Sequence, residues 1–318
     1  MMNLVIVGCG GMGWYQAKKF QALGALIVGA IDHNEEHLRG FCETFAVEES
    51  YKSLDMISRF SAKADALSCC LPDCFHALCC EAAVSANLAI FCEKPLTATQ
   101  EEADFLARLP KSRPFMVNFS KRHTPSLSAV QEALSRGLLG TLETVAISYL
   151  QSWYKSHVWG DPEEVSRWKW RLLPEYNPGG CLSDLGSHLL DLLFLLFGNV
   201  HFEKKTLEVN SNALVEYGAL LRVGNHIPCT LHCSYQDSTW DDSLQLAIEG
   251  SEATLTMNTS LDRKQVVITS KDGNLTKLEG HQPVSTYQKF FDAVKRGVSV
   301  PPSFEDGYRV QKLLEEMR

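Results

Sequence analysis

The stretch VIVGCGGMG, residues 5–13, narrows the possible folds more than any other part of the chain. The β-branched run Asn3–Val7 has the length and composition of a buried strand. Glycines follow at Gly8, Gly10 and Gly13, and a helix is predicted from about Gly11 to Leu23. Three glycines so spaced between a strand and a helix form the dinucleotide fingerprint. The first permits a tight turn, the second lets backbone approach a pyrophosphate, and the third lets helix pack on strand. Gly10, Gly11, Met12 and Gly13 open that helix, whose N–H groups and positive dipole suit phosphates. Asp32 follows the second predicted strand, Ala25–Ile31, nineteen residues after Gly13. A carboxylate there accepts hydrogen bonds from a ribose 2′-hydroxyl and repels a 2′-phosphate. His33 and Asn34 come next, with no Arg or Lys to receive that phosphate, so NAD is expected over NADP. The competing reading is a phosphate-free glycine turn in a flavodoxin-like domain.

The alternation continues through about 120 residues. Strands are predicted at Ala64–Cys70, Leu88–Cys92 and Phe115–Phe119, and helices at Asn34–Phe45, Cys74–Ala86 and Thr99–Leu109. This pattern implies a parallel sheet covered on both faces. After Arg122 the pattern changes. A helix, Ser126–Arg136, leads to a strand, Thr141–Gln151, a loop over 152–180 rich in Trp, Tyr and Pro, and a helix over 181–198. Strands follow at Ala213–Val223, Ile227–Tyr235, Ser243–Glu249, Ala253–Asn258 and Gln265–Thr269, separated by turn residues. Helices at Ser285–Arg296 and Phe304–Met317 close the chain. The expected fold class is α/β, with an N-terminal doubly wound parallel sheet and a C-terminal α+β domain built on a large, mostly antiparallel open sheet. The expected domains are 1–122, binding NAD(P), and 123–318, binding substrate and forming oligomers, with the last helix packing back on the first domain.

Composition removes several classes. The formal net charge of the 318-residue chain is −8, and no basic block occurs, so neither nucleic acid nor an anionic membrane is an expected partner. No apolar run reaches membrane-spanning length, and the N-terminus lacks a signal-peptide pattern. Eleven cysteines are present, among them the adjacent pairs Cys69-Cys70 and Cys79-Cys80. Adjacent pairs are poor disulfide frameworks, and no pair of C-x-x-C motifs suggests zinc. Cys70, Cys74 and His76 as metal ligands is the less favoured reading. Reduced thiols acting as small hydrophobes fit a cytoplasmic protein, and no metal is expected.

The segment CLSDLGSHLLDLLFLLFG, residues 181–198, is apolar nearly all round, yet holds Asp184, His188 and Asp191. Their spacing places them on one face of a helix. Burying them costs free energy unless they are bonded or paired. Either Asp184 complements a helix N-terminus and His188 is a satisfied core histidine, or the stripe carries chemistry. Two further segments end predicted strands, where dinucleotide crevices form. Leu71, Pro72 and His76 follow the strand at Ala64–Cys70. His76 alone reads as structural. Glu93 and Lys94 follow the strand at Leu88–Cys92 and read either as an exposed ion pair or as crevice residues.

Together these segments resemble the glucose–fructose oxidoreductase / inositol dehydrogenase / rhizopine-catabolism (Gfo/Idh/MocA) family over nearly the whole chain. The match rests on the N-terminal glycines, L-P-D-x-x-H at 71–76, E-K-P at 93–95, N-F-S-K-R at 118–122, G-G-C-L-S-D-L-G-S-H-L-L-D at 179–191 and I-E-G-S-E-A-T-L at 248–255. The resemblance implies a Rossmann domain and an NAD-dependent oxidoreductase. Its substrate would be a secondary alcohol or ketone of a sugar, polyol or cyclic hydroxy compound. It further implies His188 as general base, Asp184 as its orienting partner and Lys94 as holder of the reacting oxygen. Leu71, Pro72, His76 and Glu93 join the glycines and Asp32 on the cofactor side. Arg122, Trp170, Arg171 and Asp191 are candidates for substrate binding, although Asp191 also reads as a brace.

Two departures stand out. Cys181 stands where the resembling family has the third glycine of Gly-Gly-Gly, and with the C-terminus at Arg318 the last helix is expected to be clipped. Trp153, Tyr154, Trp159, Trp168, Trp170, Arg171 and Tyr176 line either a sugar pocket or a core or subunit contact. A homodimer or homotetramer through the second sheet is expected. The rival readings are a retained-NAD glycosidase acting by transient oxidation and a catalytically silent nucleotide-sensing regulator.

Overall fold

The computed structural model describes residues 2–162, 164–165, 169–211, 213–239 and 241–318. The chain forms two compact units. The first comprises residues 1–119 and 285–312, the second 120–284 and 313–318.

In the first unit, β1 (Met2–Val7), β2 (Ala25–Ile31), β3 (Ser50–Tyr51), β4 (Ala66–Cys69), β5 (Ala89–Cys92) and β6 (Phe115–Val117) pair in the order β3-β2-β1-β4-β5-β6. Each pairing is parallel. Strand order reverses between β1 and β4, which opens a ligand crevice at their carboxyl ends. The connecting helices are α1 (Gly11–Ala22), α2 (Glu35–Phe45), α3 (His76–Ser85) and α4 (Gln100–Arg108). Asn34 caps α2 by accepting from the Glu36 and His37 amides, and Thr99 and Glu102 form a capping box on α4. Such caps satisfy N–H groups that have no partner inside a helix.

In the second unit, α5 (Pro125–Ser135) precedes β7 (Leu142–Gln151), the short α6 (Trp153–Ser156) and α7 (Ser187–Phe197). Then come β8 (Val200–Asn210), β9 (Leu214–Val223), β10 (Ile227–Ser234), β11 (Asp242–Gly250), β12 (Ala253–Asn258), β13 (Gln265–Ser270) and β14 (Leu275–Glu279). They pair in the order β14-β13-β12-β11-β7-β10-β9-β8, antiparallel except for β7 with β10. Helix α7 packs on β7, β8 and β9, and α5 on β13 and β14.

Three expectations need correction. Residues 181–198 do not form one uniform helix, because Leu182–Gly186 is a π-helical turn that continues into α7. The wider turn carries Asp184, so a simple α spacing does not set its direction. Second, β8 and β14 were not predicted as strands. Both are largely exposed edge strands without apolar alternation. Third, α8 (Thr286–Arg296), expected in the second domain, belongs to the first unit, which also holds the greater part of the last helix, α9 (Phe304–Met317). The physical reason is aromatic. Tyr287 and Phe290 pack on Phe20 and Phe91, with ring centroids 5.2–6.0 Å apart. No helix among the described residues is long and apolar enough to cross a membrane.

Candidate active site

The crevice of the first unit is built as a phosphate cradle. Gly8 has φ +91°, and a Cβ there would lie 2.8 Å from the Cys70 carbonyl group. A Cβ at Gly13 would strike the Gly8 carbonyl oxygen, so α1 starts tight against β1. At Gly10 and Gly11 a Cβ would meet nothing within 4 Å. That space, beside a helix start with no side-chain cap, leaves room for a pyrophosphate. Met12 is exposed. The Asp32 carboxylate accepts from the Cys9 amide at 2.7 Å and the Asn34 amide at 2.8 Å. Its oxygens retain capacity for further donors. These residues fit a dinucleotide.

At the next strand end Glu93 is buried and firmly held. The side-chain amides of Gln16 and Asn118 both donate to Oε1, the latter at 2.8 Å. Gln16 in turn accepts from Ser68, and Asn118 accepts from Thr286 at 2.7 Å. Burial pushes the Glu93 carboxyl above the usual carboxylate range, against the pull of Asn118 and the Lys94 charge. Lys94 is half-buried. Glu93 thus anchors the backbone that presents Lys94. Sequence reasoning missed Gln16 and Asn118, since their neighbours come from distant parts of the chain.

His76 is buried, and its two ring nitrogens lie 2.9 Å from the carbonyl oxygens of Leu71 and Pro95. Only the imidazolium donates to both. Burial disfavours that charge, but Cys69, Asp73 and the two carbonyls outweigh it and raise the His76 pKa. The ring therefore clamps the Leu71-Pro72 loop to the Pro95 loop. Its two nitrogens serve backbone, which supports the structural reading of His76.

In the second unit Asp184, His188 and Asp191 are all buried. Asp184 Oδ2 accepts from Arg171 Nε at 3.0 Å and from the Tyr235 hydroxyl at 2.8 Å. Burial and the Asp184 charge hold the Tyr235 phenol far above its usual range, so it stays a donor. The His188 and Tyr149 rings pack at a steep angle, 62° between planes, with centroids 6.2 Å apart. Lys121 lies 4.3 Å over the Tyr149 ring and 4.0 Å from Asp242. Gln151 donates to Asp242 at 3.0 Å and accepts from the Trp153 indole at 2.9 Å. Trp153 packs on Tyr235, which closes a chain of aromatic and polar groups. Sequence reasoning missed Tyr149, Tyr235, Lys121 and Asp242 as part of this set.

Asp191 and Arg122 form a buried bidentate pair, with Nε to Oδ2 at 2.8 Å and Nη2 to Oδ1 at 2.5 Å. The two groups meet edge to edge through both carboxylate oxygens, which supports a brace more than substrate binding. Of the loop aromatics, Trp153 is core, Tyr154 bonds Ser211, and Trp170 stacks under Arg171 at 4.5 Å. Trp159 is half-buried and Tyr176 exposed, while Trp168 lies outside the described residues.

A family model described as an oxidoreductase family with an NAD-binding Rossmann fold matches residues 2–119, and the GFO/IDH/MocA C-terminal domain matches residues 127–256. The chain belongs to the Gfo/Idh/MocA oxidoreductase family. It is an NAD(P)-dependent dehydrogenase of that family. D-apiose dehydrogenase of Paraburkholderia graminis is 25% identical over 303 residues, covering 92% of this chain and 76% of its own. A scyllo-inositol 2-dehydrogenase (NADP(+)) of Bacillus subtilis is 25% identical over 269 residues, covering 76% and 71%. The solved structure of levoglucosan dehydrogenase in complex with NADH and levoglucosan superposes with a TM-score of 0.83 at 21% identity, covering 99% of this chain and 96% of that one. At that identity the likeness establishes the fold.

Proposed function

We propose that this Gfo/Idh/MocA dehydrogenase oxidises a secondary alcohol of a sugar, polyol or cyclic hydroxy compound, or reduces the matching ketone, with NAD. The observation that carries the reading is the buried Asp184, held by Arg171 and Tyr235 on the segment that bears His188. His188 takes the hydroxyl proton, and imidazole suits this because its ordinary pKa lies near neutrality. Asp184 orients His188 and bonds the substrate. Lys94 holds the reacting oxygen and helps move the proton. Bound nicotinamide supplies the hydride acceptor. Gly8, Gly10, Gly11, Met12, Gly13 and Asp32 hold the dinucleotide, and Leu71, Pro72, His76 and Glu93 shape its loops. Arg171 and Trp170 face substrate. The names of the relatives, an apiose, an inositol and a levoglucosan dehydrogenase, support this substrate class. Pairing of copies through the second sheet is part of the proposal. A hollow of about 680 Å³ lined by Ser148, Thr230, His232, Gln245 and Thr256 supports it.

The test is a nicotinamide absorbance assay with NAD and NADP against inositols, aldoses, sugar phosphates and diols. NADH formed with one class supports the reading. Folded protein that binds NADH yet stays silent across the panel counts against it. Release of a leaving group without net reduction would favour the retained-cofactor glycosidase.

Two variants refine the roles. Asp32→Ala is expected to cut kcat/KM for NAD about 10- to 100-fold, the worth of hydrogen bonds to a charged group, and to narrow or reverse the preference over NADP. Steady-state kinetics with both cofactors measures this. Tyr235→Phe is expected to lower kcat about tenfold with NADH affinity unchanged, because Asp184 keeps its charge but loses one of its donors. Comparison of kcat with NADH fluorescence titration checks it.

A further inference from the structure

Four fully buried thiols crowd together behind the two loops of the first unit. Cys69 ends β4 and Cys92 ends β5, and the two are register partners in neighbouring parallel strands. Paired residues in adjacent strands project from the same face of a sheet. Helix α3 brings Cys79 against Cys69 and Cys80 against Cys92. The same helix begins with His76. Cys69, His76 and Cys92 each place one ligand atom within 4.8 Å of the other two.

We propose that Cys69, Cys92 and His76, with Cys79 or Cys80 as a fourth ligand, form a binding site for zinc, and that zinc there weakens cofactor binding. The donor set decides the metal class. Thiolate sulfur and imidazole nitrogen suit zinc, whereas magnesium and calcium take oxygen ligands. The scale also fits. Tetrahedral zinc with sulfur at about 2.3 Å and nitrogen at about 2.0 Å sets ligand atoms roughly 3.5–3.8 Å apart. Cys69, His76 and Cys92 need to draw together by roughly 1 Å, and Cys79 or Cys80, which lies outside that 4.8 Å group, needs a larger side-chain rotation to close the tetrahedron.

The link to cofactor comes from the clamp. Without metal, both His76 nitrogens bond backbone carbonyls, those of Leu71 and Pro95. A metal takes one nitrogen and displaces its proton. One of the two carbonyls then loses its donor. Leu71 leads the loop after β4, and Pro95 directly follows Lys94, so occupancy at the thiols changes a loop of the dinucleotide crevice. The inference does not depend on which alcohol is the substrate.

The experiment uses the full chain, reduced, stripped with chelator and titrated with zinc alone. We expect tight uptake of one zinc per chain. Cobalt(II) in its place should show thiolate charge-transfer bands and a tetrahedral ligand-field spectrum. The Cys69→Ala/Cys92→Ala double variant should lose uptake, while Cys229→Ala, a buried thiol of the second unit, should keep it. Zinc loading should weaken NADH binding roughly tenfold, the worth of one charge-assisted hydrogen bond, and chelator should restore it. No tight zinc, a cobalt spectrum without thiolate bands, or undiminished uptake in the double variant would overturn the site. Zinc bound with NADH affinity unchanged would overturn the coupling. Should the double variant fail to fold, the cobalt spectrum of the wild-type chain decides for or against the site by itself.

Discussion

His188→Ala is expected to lower kcat by about 10²- to 10⁴-fold, the usual contribution of a positioned general base, with NADH affinity unchanged. An imidazole in an otherwise leucine-rich, buried helix has a desolvation cost, and Val or Leu would pack there without it. His188 instead packs at a steep angle against Tyr149, whose ring Lys121 covers. Four residues earlier, Asp184 is fixed by two donors. Such fixed neighbours limit the rotamers open to His188, which is what a base needs to meet one hydroxyl repeatedly. A truncated side chain leaves a cavity that free imidazole can enter. Added imidazole should therefore recover part of kcat in His188→Ala and none in the wild-type enzyme. The acid-side fall of the wild-type kcat profile should also vanish in the variant. A kcat within a few-fold of wild type, in protein shown to bind NADH, would remove His188 from the chemistry and move the base elsewhere.

Legibility followed burial and locality. Strands β1, β2, β4 and β5 announce themselves because a central parallel strand is apolar on both faces and bounded by glycine or proline. The turn at Gly8 is legible because the required positive φ is nearly closed to other residues. Asp32 was readable by its position after β2. Strand β8, VHFEKKTLEVN, hid because an exposed edge strand needs no apolar alternation, and its lysines protect that edge. The π-turn at Leu182–Gly186 hid for a different reason. Its extra residue shows only in backbone hydrogen bonds, such as that from the Ser187 amide to the Leu182 carbonyl. Candidate residues were found singly, but their partners were not. Tyr235 is 51 residues from Asp184 and Arg122 is 69 from Asp191. Only sheet register and helix docking bring such pairs together. The thiol cluster belongs to the same class, since the pairing of Cys69 with Cys92 is a fact of register between β4 and β5.

Arg122→Ala separates a brace from a substrate contact, and the expected loss is one of stability. The Asp191 carboxylate is only 1% exposed and receives two guanidinium bonds. Removing the guanidinium takes two charge-assisted donors from a buried carboxylate, and breaking a buried pair in this way costs about 3–5 kcal/mol. Coulomb attraction between intact partners does not imply a net gain of that size, because both groups were desolvated to make the pair. The double variant Arg122→Met/Asp191→Leu removes both charges at similar volume. It is therefore expected to recover most of the loss, within about 1 kcal/mol of wild type. Urea denaturation of the full chain, followed by the fluorescence of a Trp14→Phe background whose remaining tryptophans lie in the second unit, measures both. The catalytic readout completes the distinction. A brace predicts that folded double variant keeps its KM for the best substrate. A substrate contact predicts the reverse, a KM raised about tenfold or more with stability restored. The first outcome assigns Asp191, the last polar residue of the stripe, to the second unit's architecture and leaves Asp184 and His188 with the chemistry.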